Sequence, residues 1–406
     1  MINVTIQKNV YFFYPSKILG GAELLFIRVA NYLAQYSNDI EIGYIGLCDD
    51  IALLHLQQKI RFVVVNDGIR LPDNTVIISH PAASLKIPRI IGNDICYIFW
   101  ILHIKELESF LFSCKMNQNE AYSEFCKMVD DKSVICMDNE TYNVAKKFVR
   151  HDLEYPCIVP VMLDNVRYTV KKQLNEKNTL NIAWIGRLSE DKIYALINLM
   201  ERLEKIRLDD LKIKLHIVGE GPYGAKLFKD YKNFSILTYG SIQPKELSIF
   251  LEKNIDLVFA MGTSMLEAEK LGIPSALVFY TEKITSDNCF LWSFKLKEYC
   301  LGMEDKNNYK ADIVDLESII GYFLKNIQLC SIEARKHFEQ FLIDKQIYSF
   351  VECVNNTEYT NEALRQFYNR HKKLVLKNTK LKNKIYLRLF NHLKRKLTNK
   401  GLLFYD

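Results

Sequence analysis

Residues 182–192 read Ile182-Ala183-Trp184-Ile185-Gly186-Arg187-Leu188-Ser189-Glu190-Asp191-Lys192. An apolar run stops at a glycine. One cation stands beside the turn, and a second follows five residues later. A β-strand entering a tight turn and then a helix fits this pattern. Two cations at such a turn suit a diphosphate, because Arg forks two donors onto phosphate and Lys adds a compact charge. The plainer reading of the pair is a solvated helix start.

Apolar runs continue outward from this segment at 179–185, 212–218, 234–237, 255–260 and 275–280, each separated by a helical stretch. The first half carries the same alternation, with strands expected at 10–14, 40–47, 61–65, 75–79, 94–100 and 133–137 and a helix at 22–36. Strand–helix alternation of this kind predicts an α/β fold of two Rossmann-like domains with mostly parallel sheets. Residues 155–178 break it. Tyr155-Pro156 and Val159-Pro160 are extended, because a residue before proline is pushed out of the α region. The expected division is therefore an N-terminal Rossmann-like acceptor domain at 1–165, a second Rossmann-like domain at 166–345, and a helical return and basic tail at 346–406.

At 406 residues the chain has room for two ordinary domains. It is 49% hydrophobic and 25% charged, within the globular range. No apolar run reaches the roughly 18 residues that span a bilayer, and the first fifteen residues lack the order of a signal peptide. Ten cysteines occur singly with no CxxC pair, so no metal site is expected, and reduced thiols in a cytoplasmic protein are the simplest reading. The net charge of +6 is uneven. From Ala363 to Asp406 thirteen Lys or Arg face one acid, so this end carries about +12 and the rest about −6. Leu381, Ile385, Leu389 and Leu393 recur every fourth residue among those cations. A basic amphipathic helix at 372–400 would lie on an anionic membrane surface, on the inner face of the cytoplasmic membrane. Packing of its apolar side on the first domain is the alternative. Nucleic acid is not expected, because the body is acidic and shows no binding module.

Three further motifs accompany the opening one. Gly20-Gly21-Ala22-Glu23 follows the first strand and opens a helix, a place where backbone N–H groups can meet an anion. Val218-Gly219-Glu220-Gly221-Pro222 forces a sharp turn after another strand. Gly262, Thr263 and Ser264 precede a helix that carries Glu267 one turn in. Each has an architectural reading: a turn, a helix cap or an exposed glutamate. His103, in Trp100-Ile101-Leu102-His103, falls after a strand, as does His80; a lone histidine is more often structural. Asp138 fits a helix cap.

Taken together, in this order and spacing, the four motifs resemble the large retaining glycosyltransferase family of GT-B architecture (group 1, family 4-like). In that family two Rossmann-like domains face each other across a cleft. The resemblance is strongest over 176–280 and moderate over 8–40. It implies transfer of a sugar from a nucleotide diphosphate sugar, with UDP-sugar the first choice, to a hydroxyl of a cell-surface glycan or lipid-linked acceptor, without a metal or other cofactor. It places Gly186, Arg187 and Lys192 on the donor diphosphate and Glu267 on the ribose hydroxyls. Gly20 and Gly21 would lie against donor phosphate and sugar, and Gly219, Glu220 and Gly221 would line the nucleotide pocket. His103 would stand near the donor sugar and acceptor. One departure matters: the family's earlier glutamate, eight residues before Glu267, falls at Phe259, leaving Met261, Gly262, Thr263 and Ser264 as local substitutes. A sugar-nucleotide or glycan binding protein that has lost activity is one alternative. A sugar-nucleotide epimerase is another. A phosphorylase is disfavoured, because no lysine-bearing cofactor segment is evident.

Overall fold

The strands that form the centre of each sheet read as continuous apolar runs because both of their faces are covered. A computed structural model describes residues 5–36, 39–66, 68–114, 118–149, 157–208, 211–227, 230–302 and 306–370. They divide into two compact units, one built mainly from described residues within 5–137, 141–158 and 349–370, the other mainly from those within 159–348. No described helix is long and apolar enough to cross a membrane. The basic stretch 372–400, with the membrane role read from it, lies outside the described residues.

In the first unit β1 (Asn9–Phe13) leads through the Gly-Gly turn into α1 (Gly21–Tyr36), and β2 (Ile42–Gly46) and β3 (Arg61–Val64) follow. β4 (Ile69–Arg70) and β6 (Ile90–Ile91) form a small separate ladder around β5 (Thr75–Ser79). Then come β7 (Ile95–Ile101), α2 (Lys105–Cys114), α3 (Gln118–Asp130), β8 (Val134–Cys136), α4 (Asn139–Phe148) and β9 (Cys157–Ile158). The seven-stranded sheet has the order β3-β2-β1-β5-β7-β8-β9 and is parallel throughout. Residues 349–370 return to this unit. Phe350 packs 6.3 Å from Phe12, and the fully buried Tyr359 donates its hydroxyl to Glu124 at 2.6 Å.

The second unit runs β10 (Thr179–Ile185), α5 (Glu190–Leu203), β11 (Lys212–Val218), β12 (Phe234–Thr238), α6 (Pro244–Asn254), β13 (Leu257–Ala260), α7 (Thr263–Glu269), β14 (Ser275–Val278) and β15 (Phe290–Trp292). α8 (Leu316–Lys325) and α9 (Ile327–Phe338) follow, and α10 (Ile343–Asn356) starts in this unit and ends in the first. Its sheet order is β12-β11-β10-β13-β14-β15, parallel except for the last pair. Trp184, Ile182 and Phe259 point to one face of the sheet, and Ala183, Ile185 and Val258 to the other. Each face thus buries its own apolar layer, as strand alternation requires.

A carboxylate pins the lower end of this sheet. Asp256, fully buried before β13, accepts the backbone N–H of Asn181 at 2.9 Å and of Asn175 at 2.8 Å, and pairs with the Lys171 ammonium at 2.9 Å. Segment 171–175, part of the expected interdomain linker, is thereby fastened to β10. Seven described cysteines are free, but Cys353 is disulfide-bonded, which departs from the expectation of reduced thiols throughout.

Removing one partner of a buried ion pair strands the other charge, at a cost of about 3–5 kcal/mol. Asp256→Ala should destabilise the second unit by about that amount in urea unfolding followed by tryptophan fluorescence. A midpoint unchanged from the wild type would show that the pair does not hold the sheet.

Candidate active site at the strand ends

Open parallel sheets bind ligands outside the carboxyl ends of their strands, where the strand order reverses direction. In the second unit this switch point lies between β10 and β13, which pair with each other. The turn after β10 carries Gly186, Arg187 and, in the first turn of α5, Lys192. The turn after β13 carries Gly262, Thr263 and Ser264, with Glu267 on α7. The motif residues of this half therefore meet at one edge.

The turn after β11 lies against the turn after β10, backbone to backbone. Gly186 N–H donates to Val218 O at 3.0 Å, and Leu188 N–H donates to Glu220 O at 2.9 Å. Gly219 has φ +139° and Gly221 φ +155°. A Cβ on Gly219 would stand 2.0 Å from Gly186 O, and one on Gly221 would stand 2.5 Å from Leu188 O. Both positions require glycine for space and for backbone conformation. Glu220, between them, faces solvent.

Arg187 is largely exposed and lies 3.7 Å from Asp191, one helical turn on. Burial pushes the Asp191 carboxyl up, but the Ser189 hydroxyl and the Arg187 charge outweigh it and hold its pKa below the ordinary value. An exposed pair of this kind contributes little stability, so Arg187 can exchange Asp191 for a better anion at small cost. Lys192 is more enclosed. Burial first, then the neighbouring Arg187 charge, lowers its pKa. An anion bound beside it would offset both effects, because a nearby opposite charge favours the charged form.

Glu267 is 7% exposed and accepts a hydrogen bond from Lys270 in a nearly buried ion pair. The next acid, Glu269, is fully buried and bonded to His337 at 2.7 Å, which ties α7 to α9. Thr263 Oγ1 lies 3.0 Å from the Tyr299 hydroxyl, and Gly262 caps α7 directly beneath that hydroxyl. Phe259 is inside β13, fully buried, its ring 5.4 Å from Phe290 and nearly perpendicular to it. Its side chain fills the core, so the family's earlier acid position is occupied by the strand itself.

In the first unit the switch point lies between β1 and β5. Gly20 and Gly21 follow β1. A Cβ on Gly20 would lie 2.7 Å from a Glu23 carboxylate oxygen, so an acid faces this turn. A carboxylate there accepts hydrogen bonds from hydroxyls and opposes phosphate. His80 follows β5, and His103 follows β7, one strand further out. His103 Nδ1 accepts the Lys105 backbone N–H at 3.1 Å, which places the proton of the neutral ring on Nε2. Burial, then Lys86, lowers the His80 pKa to about 4, and its Nδ1 is 3.9 Å from Glu106 Oε1. Burial raises the Glu106 pKa to about 8, although the backbone N–H groups of Leu102 and His103 act against it. Asp138 is buried immediately before α4, where a helix cap was expected.

Several residues escaped the sequence reading. The Tyr239-Gly240-Ser241-Ile242 turn lies beside the glycine pair, because Gly219 N–H donates to Gly240 O at 2.7 Å. Its signal was Gly240 just after a strand, with Pro244 opening the next helix. Lys270 and Glu106 carried no motif at all.

No protein-family profile matches the chain, and no curated protein matches it by sequence. Solved structures share the fold. A glycosyltransferase from Rickettsia africae ESF-5 aligns with a TM-score of 0.50 at 13% identity, over 91% of this chain and 99% of that one. The N-terminal domain of trehalose-6-phosphate phosphatase from Candida albicans aligns at 0.53 and 10% identity, over 86% and 97%. At such identities the likeness is one of fold. The chain is an α/β protein of two Rossmann-like units, the GT-B architecture.

Two predictions follow from this geometry. Gly219→Ala combines an overlap with Gly186 and a strained φ, and should cost about 3 kcal/mol or more; wild-type thermal stability would refute the contact. Glu106 holds its proton more tightly folded than unfolded, so stability falls as pH rises from about 4.5 to about 8 and levels beyond. Glu106→Gln should flatten that slope in urea midpoints taken at about pH 5 and about pH 9. A slope as steep as that of the wild type would contradict the assignment.

Proposed function

We propose that the chain is a glycosyltransferase that moves a sugar from a nucleotide diphosphate sugar, taken as a UDP-sugar, to a hydroxyl of a glycan or lipid-linked acceptor. The observation that carries this reading is the meeting of Arg187 and Lys192 with the Gly219–Gly221 turn at the switch point of the second sheet. Its fold, shared with the Rickettsia glycosyltransferase, supports it.

In the proposed reaction an acceptor hydroxyl attacks the anomeric carbon while the nucleoside diphosphate departs. Charge grows on the leaving diphosphate, and electrostatic stabilisation there is the main demand. Arg187 would fork onto it, and Lys192, poorly solvated, would gain most from a nearby anion. Glu267 would accept hydrogen bonds from the ribose diol, sharing its carboxylate with Lys270. Gly219, Glu220 and Gly221 would border the nucleotide. In the first unit Gly20, Gly21 and Glu23 would meet sugar hydroxyls, and His103 would donate from Nε2. No step is assigned to a metal. Retention at the anomeric carbon is proposed from the motif resemblance. Attachment to the inner face of the cytoplasmic membrane is proposed from the basic stretch 372–400.

Thermal-shift screening of nucleotide sugars should find a donor that raises Tm, since a ligand of the folded state stabilises by mass action. With that donor, Arg187→Ala and Glu267→Gln should each lower kcat/KM tenfold or more, about 1.4 kcal/mol or more. Near-normal rates in both would refute the site. Slow release of the nucleoside diphosphate without acceptor separates a transferase from a binding protein.

A further inference from the structure

Lys270 Nζ donates to Glu267 Oε2, and the two form an ion pair three residues apart at the end of α7. On an open helix face such a pair is ordinary and contributes little. This one is nearly enclosed, with 12% of the lysine and 9% of the glutamate side chain left to solvent. Taking two ions out of water costs about as much as their attraction returns, so an enclosed pair is weak evidence for stability. An apolar side chain at position 270 would serve the helix as well. The pair is not sealed either, so a ligand can reach its exposed side.

Lys270 is also fixed at its backbone. It ends α7, where its N–H donates to Leu266 O at 3.0 Å. Its carbonyl accepts Nη1 of the buried Arg335, from α9, at 2.6 Å. The residue before it, Glu269, is bonded to His337 of the same helix at 2.7 Å. α9 thus grips the end of α7 at two successive residues. The Lys270 ammonium reaches the Glu267 carboxylate from that fixed point. A glutamate side chain turns about three bonds, and ordering it on binding a ligand costs entropy. A carboxylate already held by one oxygen meets the ligand with that cost reduced. An ammonium only donates, so it does not compete for the acceptor role that ribose hydroxyls need.

Resting on the ribose reading of Glu267 above, we propose that Lys270 is a positioning residue for nucleotide recognition. Its ammonium aims the Glu267 carboxylate, and the site thereby prefers a ribose to a sugar without hydroxyls. Lys270 acts through Glu267 and need not touch the ligand.

Calorimetry on the full chain tests this, with UDP and the UDP analogue lacking both ribose hydroxyls as probes. The quantity read is the ratio of their dissociation constants, in which any general effect of a lost cation on diphosphate binding cancels. The wild type should prefer UDP by about tenfold or more, since hydrogen bonds to a charged group are among the strong ones. Glu267→Gln should remove most of that preference. Lys270→Met should reduce it to about threefold or less, and Lys270→Arg, which keeps a cation, should retain most of it. Where Lys270→Met does not fold, the neutral Lys270→Gln is read in the same way. A wild-type ratio in the neutral variants overturns the role of Lys270 and leaves the ribose reading standing. A preference lost equally with arginine and with a neutral residue marks a structural role and also overturns it. A wild-type protein that does not bind UDP, or binds both probes alike, overturns the ribose reading and this inference together.

Discussion

The second unit's site depends on one steric fact: two strand-end turns touch through their backbones. Gly219 approaches Gly186 O, and Gly221 approaches Leu188 O, more closely than any side chain allows. The contact is closed by Gly186 N–H to Val218 O and Leu188 N–H to Glu220 O. It fixes where the chain leaves β10, and hence where Arg187 stands and where α5 begins. It also draws in the turn after β12, through Gly219 N–H to Gly240 O. Three consecutive strands of the sheet thus end in turns locked by main-chain bonds. Side chains at such an edge are placed by backbone geometry and need little packing of their own.

The two strand edges differ in electrical character. In the second unit Arg187 and a poorly solvated Lys192 stand where an anion would bind. In the first unit a glutamate faces the Gly-Gly turn, His80 is neutral, and Glu106 keeps its proton to about pH 8. One edge presents two cations, and the other a carboxylate and neutral groups. The division arises from burial as much as from residue type, since Glu106 and His80 would both be ordinary titrating groups in water.

The fold was legible because its determinants are local. Short runs such as Thr179–Ile185, bounded by turn signals, fit strands buried on both faces, and glycines after strands mark turns. The site was legible where a motif names a backbone requirement, as at Gly219 and Gly221. It was not legible where the signal is the geometry of a contact rather than the residue types that make it. Nothing near Glu267 in sequence shows that Lys270 already engages it, since an i, i+3 pair is as often solvated. Nothing near Gly20 shows that Glu23 turns back over it. Trp184 belongs to an apolar run, and only the fold shows that its indole N–H is buried without a partner among the described residues. Phe259 read as an acid replaced by an apolar residue within a site.

The last of these changes the chemistry. Phe259 faces the core against Phe290, so an acid placed there would be buried and unpaired and could not reach a sugar. The position is lost to the ligand by geometry, because β13 continues through Ala260 before the chain turns at Gly262. Hydroxyls at that turn include those of Thr263 and Tyr299, 3.0 Å apart. Hydroxyls can orient a sugar but cannot balance positive charge at its anomeric carbon. In the reaction proposed above, stabilisation of the departing diphosphate therefore carries the larger share of catalysis. For that role the strand edge of the second unit offers Arg187 and Lys192.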